Sequence, residues 1–499
     1  MRVVVVAPYA LYTPHFETDL EIAQSHLDAG DQVTIIVCDG LLRSCDVNRH
    51  HRVTQCARCI GRRRRGLSVL SPHARLRVVA LSSLPGWSQR IELPARFDTV
   101  EQLRDFEYAG FDAGYAVLSS IVSMLRDPVP DLTMHQKTVQ DLLRGSVRVF
   151  LAMGDYLRRG EIDRVYVYNG RYGLLRPVVR SCQRAGVDFH THERGHDTSH
   201  FTTFHNTLPH DIDHVEREIR HAWQRAAGSS NREAVASDFF RRRAEGVMTS
   251  WHSFTAHQQA GLLPGGWNPD ARNVVAFTSS EDEFVAIGDQ WTAGLYPNQV
   301  DGLRRIIGDG FSDGAASRLF VRVHPNLRGV DNASVRDVLA LDGPMVTVIP
   351  PESTVSSYAL LKAADIVLTF GSSIGIEAVF WGTPSVLAGP CFYGGLGGTY
   401  NPRSHSELID MLKSDLAPKD PTPALMYGYY LATFGRPFRY FEPTGLFEGR
   451  FRGVELTPER WVSLVIRTYK LPVIGRLLDG GWRWWTRKLA GDSSPGHRR

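Results

Sequence analysis

The sequence predicts a two-domain α/β protein built on parallel sheets, and three observations carry that expectation. The chain has 499 residues, more than one hydrophobic core organises. Short continuous apolar runs, the signature of strands buried on both faces, recur in both halves. These runs end in polar or turn residues, as expected when a parallel sheet presents one working edge. Hydrophobic residues make up 43% and charged residues 22%, the balance of a globular protein. The formal net charge of +4 singles out no partner, and nucleic acid is not expected to be one.

Taken in order, Arg2 to Ala7 reads as a first buried strand, Phe16 to Ala29 as a helix stopped by Gly30, and Gln32 to Cys38 as a second strand. The opening apolar run is too short for a signal-peptide core, and no segment reaches the ~18 apolar residues of a membrane span. A cytoplasmic location with reduced thiols is therefore expected. The loop Pro8 to Glu17 follows the first strand, which makes His15 and Glu17 site candidates.

Cys38, Cys45, Cys56 and Cys59 come next, with His50 and His51 among them. A C-x2-C pair with two further ligands nearby fits a tetrahedral structural zinc. Cys45, Cys56 and Cys59 are the expected ligands, with Cys38 or a histidine as the fourth. Unmetallated thiols in an irregular insertion over 38–66 are the alternative. Arg62 to Arg65 reads as a solvated run.

Leu67 to Leu81 reads as strands around Pro72, Val100 to Arg126 as an interrupted helix, and Asp131 to Arg159 as one long helix or two. Val165 to Tyr168 then forms a strand followed by Asn169-Gly170-Arg171. A second strand, Val187 to His190, leads to His192-Glu193-Arg194-Gly195. Parallel strands bring both polar clusters to one sheet edge. Glu193 is the expected general base for an acceptor hydroxyl, with Arg194 setting its charge state and Asn169 and Arg171 beside it. His192, His196, His200 and His205 crowd the following loop, where metal binding is an alternative to solvated histidines.

Helices are expected over Asp211 to Ala226 and Asn231 to Gln259. Strands follow at Asn273 to Thr278, Leu319 to Val323, Val346 to Ile349, Ile366 to Phe370 and Ser385 to Ala388. The first is followed by Ser279 to Glu283, where Asp282 or Glu283 is the second-choice base. His324, fixed by Pro325 and preceded by Arg322, can donate a hydrogen bond to a leaving phosphate. Gly371-Ser372-Ser373 turns from a strand into a short helix, offering N–H groups and hydroxyls to a phosphate, with Glu377 one turn on for a sugar hydroxyl. An ordinary strand-to-helix unit with Ser372 as N-cap is the alternative.

RVHPN and GSSIGIEAVFWGTPSV, in that order and spacing, resemble the nucleotide-binding half of GT-B glycosyltransferases. The likeness is nearest to bacterial enzymes of capsule and surface polysaccharide biosynthesis, and beyond them to sialyltransferase and teichoic-acid polymerase relatives. It spans roughly residues 160 to 410. The resemblance implies two Rossmann-like domains facing a cleft: an acceptor domain over 1–230, a donor domain over 231–440, and a basic, Trp-rich tail over 441–499. It places His324, Pro325, Ser372 and Ser373 on the donor's phosphate and nucleotide, and Glu377 on the ribose. Asn169-Gly170-Arg171 and Glu193-Arg194-Gly195 also look like features of the bacterial group, although the latter departs from the carboxylate-carboxylate-Gly motif of sialyltransferases at its second position. The implied activity moves a sugar from a nucleotide-sugar donor of unspecified base to a polysaccharide, glycan or lipid-linked acceptor, without a catalytic metal. A polyol-phosphate transferase and a non-catalytic polysaccharide-assembly protein are the alternatives.

From Trp461 onward there are eight Lys or Arg against two Asp, and four of the ten tryptophans. That composition suits a helix lying in a membrane interface over 461–490, which would make the protein peripheral on the inner face of the plasma membrane. An extra helix packed on the domain surface is the alternative.

Overall fold

The computed structural model describes residues 1–248, 253–292, 294–311, 317–457 and 472–489. Two compact units divide the chain: 1–125 with 130–209 and 435–499, and 126–129 with 210–434.

In the first unit, β1 (Arg2–Ala7), β2 (Gln32–Val37), β3 (Leu76–Ala80), β4 (Arg164–Tyr168) and β5 (Asp188–Arg194) are parallel. β6 (His200–His205) returns antiparallel to β5, and Arg436–Pro437 pairs antiparallel with β6. The order β3-β2-β1-β4-β5-β6 is doubly wound, reversing direction between β1 and β4. The β1 residues alternate between two cores. Val4 and Val6 pack with Ile36, Val149 and Val167, whereas Val3 and Val5 pack with Phe16 and Leu20. Helices on both faces explain why the strand reads as an unbroken apolar run rather than an alternating one.

The second unit repeats the plan. β7 (Arg272–Phe277), β8 (Ser317–Arg322), β9 (Val346–Ile349), β10 (Ile366–Thr369) and β11 (Ser385–Leu387) form an all-parallel sheet in the order β11-β10-β7-β8-β9. Counted from its own first strand, this is the same winding, with the switch point between β7 and β10. The chain is thus α/β with two Rossmann-like sheets, as the sequence predicts.

The expected divisions at 230/231 and 440/441 differ from those observed. The helix Ile212–Arg225 belongs to the second unit, where the closing helix Thr422–Thr433 packs against it and against the helix Arg232–Ala244. Residues 441–455 are part of the first unit's packed structure. Strands Phe441–Pro443, Gly449–Phe451 and Val454–Glu455 form a small antiparallel sheet whose Phe441 and Phe451 enter the core beside Phe16.

The insertion over 38–66 is helical rather than irregular from Val53 to Leu67. Arg62 and Arg63 turn inward instead of into solvent: Arg62 pairs with Glu17, and Arg63 donates to the Cys38 carbonyl. Only Arg64 and Arg65 of the run are exposed. The helix expected over Asn231 to Gln259 stops at Ala244, and residues 249–252 of it lie outside the described residues.

Of the tail, 458–471 and 490–499 lie outside the described residues, and a helix spans Pro472–Leu489. It packs on the first unit through Trp482, whose Nε1 donates to His51 Nε2 at 3.1 Å, and through Asp479, which accepts from the Val53 N–H at 2.9 Å. Leu477, Trp484 and Trp485 remain exposed. Among the described residues no helix is long and apolar enough to cross a membrane.

Candidate functional site

In the second unit the strand ends on either side of the switch point carry the expected residues. Gly371 lies just past β10 with φ +116°, and a Cβ there would sit 2.6 Å from the Pro390 carbonyl oxygen. Only glycine fits both demands. The Tyr393 hydroxyl donates to the Ser372 carbonyl at 2.5 Å and holds the turn. Ser373, not Ser372, is the N-cap of the seven-residue helix Ile374–Phe380. Among the described residues neither the N–H nor the hydroxyl of Ser372 has a partner, and the Ser373 N–H has none.

Glu377 is 1% exposed, and its carboxylate is already engaged. Oε1 accepts from Arg243 Nη2 at 3.1 Å and Ser373 Oγ at 3.1 Å, while Oε2 accepts from the Tyr358 hydroxyl at 2.5 Å. A group so enclosed anchors its neighbours and does not present itself to a ribose, which differs from the expected role. Arg243 Nη2 also donates to Ser373 Oγ at 3.3 Å.

His324 follows β8. Its N–H donates to Thr278 Oγ1 at 2.9 Å, and its Nδ1 accepts from the Asn326 N–H at 3.1 Å. Pro325 opens the tight turn that brings Asn326 into place. With Nδ1 an acceptor, the neutral ring carries its hydrogen on Nε2. Burial, then the charges of Arg322, Arg126 and Arg243, push its pKa down to about 4, so the ring is a neutral donor near pH 7. Arg243 is therefore common to both elements: it bonds the serine turn and lies near enough to His324 to depress its protonation.

Arg322 does not join them. It is 1% exposed, and its guanidinium donates to the carbonyls of Pro350 and Ser353, the latter at 3.2 Å. It organises the loop after β9 and acts on His324 only through its field. Asp282 is buried and paired with Arg126 Nε at 3.2 Å, while Glu283 accepts from Asn326 Nδ2 at 2.6 Å. Neither second-choice base is available as expected. Beside the turn, past Pro390, lies a cavity of about 630 Å³ lined by Leu295, Leu387, Gly389, Pro390, Gly394 and Asn401, within the range of small-molecule sites.

Glu281 next to this cluster accepts from the Gln299 N–H at 2.8 Å, and burial raises its carboxyl from 4.5 to about 7. A raised folded value favours the protonated form. Its stabilising contribution is therefore complete below about pH 4.5 and is lost as pH climbs through about 7. Melting curves of Glu281→Gln should show a flatter pH dependence than wild type across that window, the difference amounting to a few kcal/mol at most.

In the first unit, Asn169 follows β4 with φ +54° and is 3% exposed. Its Nδ2 donates to Glu193 Oε1 at 2.5 Å, joining the two clusters expected on one edge. Glu193 Oε2 lies 4.0 Å from His15 Nδ1, and the His15 ring stacks on Tyr168 at 3.9 Å. Burial raises the Glu193 carboxyl and lowers His15 well below its usual range. Arg194 turns away, donating to the carbonyls of Thr13 at 2.7 Å and Leu446 at 3.1 Å. Arg171 donates to the Tyr172 hydroxyl at 2.8 Å. Arg194 acts on Glu193 through its charge, which opposes the upward shift, and Arg171 bonds the residue next to it in the loop after β4. His192 is fully buried and bonds Asp19 Oδ1 at 2.8 Å.

The cysteines do not form the expected metal centre. Cys38 accepts from the Gly40 N–H, Cys56 from Asn48 Nδ2 and Cys59 from the Ala10 N–H. Among the described residues no three of their sulfurs or neighbouring histidines converge as ligands. Burial pushes the Cys38 and Cys56 thiols up to about 12 and raises those of Cys45 and Cys59. The group that does converge is His196, Asp197 and His200, with Asp197 Oδ1 accepting from His200 Nδ1 at 2.6 Å.

Three residues of these sites went unread in the sequence. Arg243 ends a run of three arginines, Arg126 sits in a short loop, and Tyr358 lies on an unremarkable helix turn. No local pattern marks which cation of a run faces inward.

No family model matches the chain, and no curated protein matches it either. Among solved structures, the chain is similar to the Thermosulfurimonas dismutans KpsC β-Kdo 2,4 transferase, with 14% identity, a TM-score of 0.36 and coverage of 64% of this chain and 87% of that one. It is also similar to the Methanocaldococcus jannaschii UDP-GlcNAc 2-epimerase, solved with UDP-GlcNAc and UDP (10% identity, TM-score 0.27, 86% and 98% covered). A third is the glycosyltransferase SnogD from Streptomyces nogalater (12% identity, TM-score 0.24, 87% and 94% covered). At such identities and scores neither activity nor substrate carries over.

Proposed function

We propose that the protein is a glycosyltransferase that uses a nucleotide-sugar donor. The observation that carries this reading is the set of donors at the second unit's switch point. Unpartnered N–H groups and a free hydroxyl at Ser372 and Ser373 lie with Arg243, and a neutral His324 keeps an Nε2–H to give. Such a set fits a diphosphate that gains charge as it leaves. The cavity past Pro390 has room for the nucleoside. In the sugar transfer, the acceptor oxygen bonds to the anomeric carbon, the bond from that carbon to the diphosphate oxygen breaks, and the acceptor proton goes to a general base; Glu193, a half-buried carboxylate held by Asn169, is proposed for that role.

The sequence likeness to capsule and surface polysaccharide enzymes supports a polysaccharide or lipid-linked acceptor. The exposed Leu477, Trp484 and Trp485 support a peripheral membrane contact.

The test is nucleotide binding by His324→Ala combined with Ser372→Ala. The reading expects affinity for nucleoside diphosphates to fall, and transfer to fall by roughly 10²–10³-fold. Undiminished affinity would overturn it.

A further inference from the structure

A second cationic hollow lies in the first unit, away from Glu193. Its floor is the helix Gln136–Arg159, which supplies Lys137 and Asp141, and its wall is the loop carrying Arg43, Arg49 and His50. Arg483 of the helix Pro472–Leu489 completes the lining. The cavity measures about 120 Å³, far above the ~10–15 Å³ that a single water needs.

Among the described residues of the lining, Arg43, Arg49, Lys137 and Arg483 face one carboxylate, Asp141. Asp141 already serves two of them, pairing with Lys137 and lying 4.0 Å from Arg43 Nη1. Arg49 Nε donates to His50 Nε2 at 2.8 Å, which orients the guanidinium along the wall. The surplus of positive charge in a concave, partly desolvated site focuses the field on whatever enters. Burial, then the neighbouring Arg49, Arg52 and Lys137, lower the His50 pKa.

We propose that this hollow is a phosphoryl-binding site, separate from the donor site and formed partly by the C-terminal helix. The guanidinium forks and the ammonium match the oxygens of a phosphomonoester, and the small volume admits a phosphoryl group but not a nucleotide. The group can come from free phosphate or from a lipid headgroup. The second source draws support from Leu477, Trp484 and Trp485, which are 69%, 64% and 47% exposed on the helix that brings Arg483.

The experiment titrates inorganic phosphate into the full-length protein at low ionic strength, by calorimetry or phosphorus NMR, for wild type, Arg43→Gln/Lys137→Gln and Asp141→Asn. The double variant should weaken phosphate binding by roughly tenfold or more. Asp141→Asn removes the one carboxylate among the described residues of the lining and should tighten binding severalfold, a gain that a damaged fold does not produce. Flotation with phosphatidylcholine vesicles, with and without phosphatidic acid, separates the sources. Recruitment that depends on phosphatidic acid and is lost in the double variant assigns a lipid headgroup. Phosphate binding that is lost without any change in flotation assigns free phosphate. Absent phosphate binding in wild type, or equal binding by all three proteins, overturns the site.

Discussion

Glu193→Gln is expected to keep nucleotide affinity and to lower the transfer rate by roughly 10²–10⁴-fold, the usual contribution of a positioned general base. The substitution is nearly isosteric, and Asn169 can turn its amide so that its carbonyl oxygen accepts from the new side chain, so the 2.5 Å contact survives in form while the proton acceptor is gone. The pH profile supplies a second readout. Burial holds the Glu193 carboxyl above the ordinary carboxylate range, and the base works only when ionised. Activity should therefore fall as pH drops through a value above 4.5, and that inflection should be missing from the residual activity of Glu193→Gln. His15→Ala extends the argument. His15 stacks on Tyr168 and stands 4.0 Å from Glu193, so its removal admits water and should move the inflection down toward 4.5. A variant as active as wild type would remove Glu193 from the chemistry.

The sheets were legible because their strands are buried on both faces. Four consecutive valines in β1 have no other economical reading, and the turns after β4, β5, β8 and β10 stand out because polar residues interrupt apolar runs abruptly. The joining of Asn169 to Glu193 followed from the parallel register alone. What the sequence hid is where long side chains end. An arginine spans several ångströms of apolar stem, so its position in the chain says little about the polar group its guanidinium meets. Arg322, Arg194 and Arg171 stand beside the expected site residues in sequence, yet Arg322 and Arg194 serve carbonyls of other loops and Arg171 the hydroxyl of the next residue. Arg243 was passed over in a charge run and turns out to tie Ser373 to Glu377. The cysteines misled for a different reason. Spacing reports which sulfurs could meet, but Cys56 and Cys59 meet different partners from one helix face, Asn48 and the Ala10 N–H.

Arg243 and Glu377 give the second large effect. Glu377 is 1% exposed and relies on one cation and two hydroxyls. Arg243→Ala leaves a buried carboxylate with neutral donors only. Complete loss of a buried partner costs ~3–5 kcal/mol, and because the Arg243 side chain is 41% exposed, water makes up part of that, so a loss of about 2–3 kcal/mol is expected in denaturant unfolding. Glu377→Gln removes the charge instead and should cost less, and the pair Arg243→Met/Glu377→Gln should recover much of the loss, as coupled neighbours do. Ligand choice then separates an anchor from a ribose contact. If Glu377 only positions Arg243 and Ser373, Glu377→Gln weakens inorganic pyrophosphate and a nucleoside diphosphate by the same factor, because both lose the same phosphate donors. A ribose contact would weaken the nucleotide and spare pyrophosphate. The enclosure of both carboxylate oxygens predicts the first outcome, and the second would return Glu377 to the sugar.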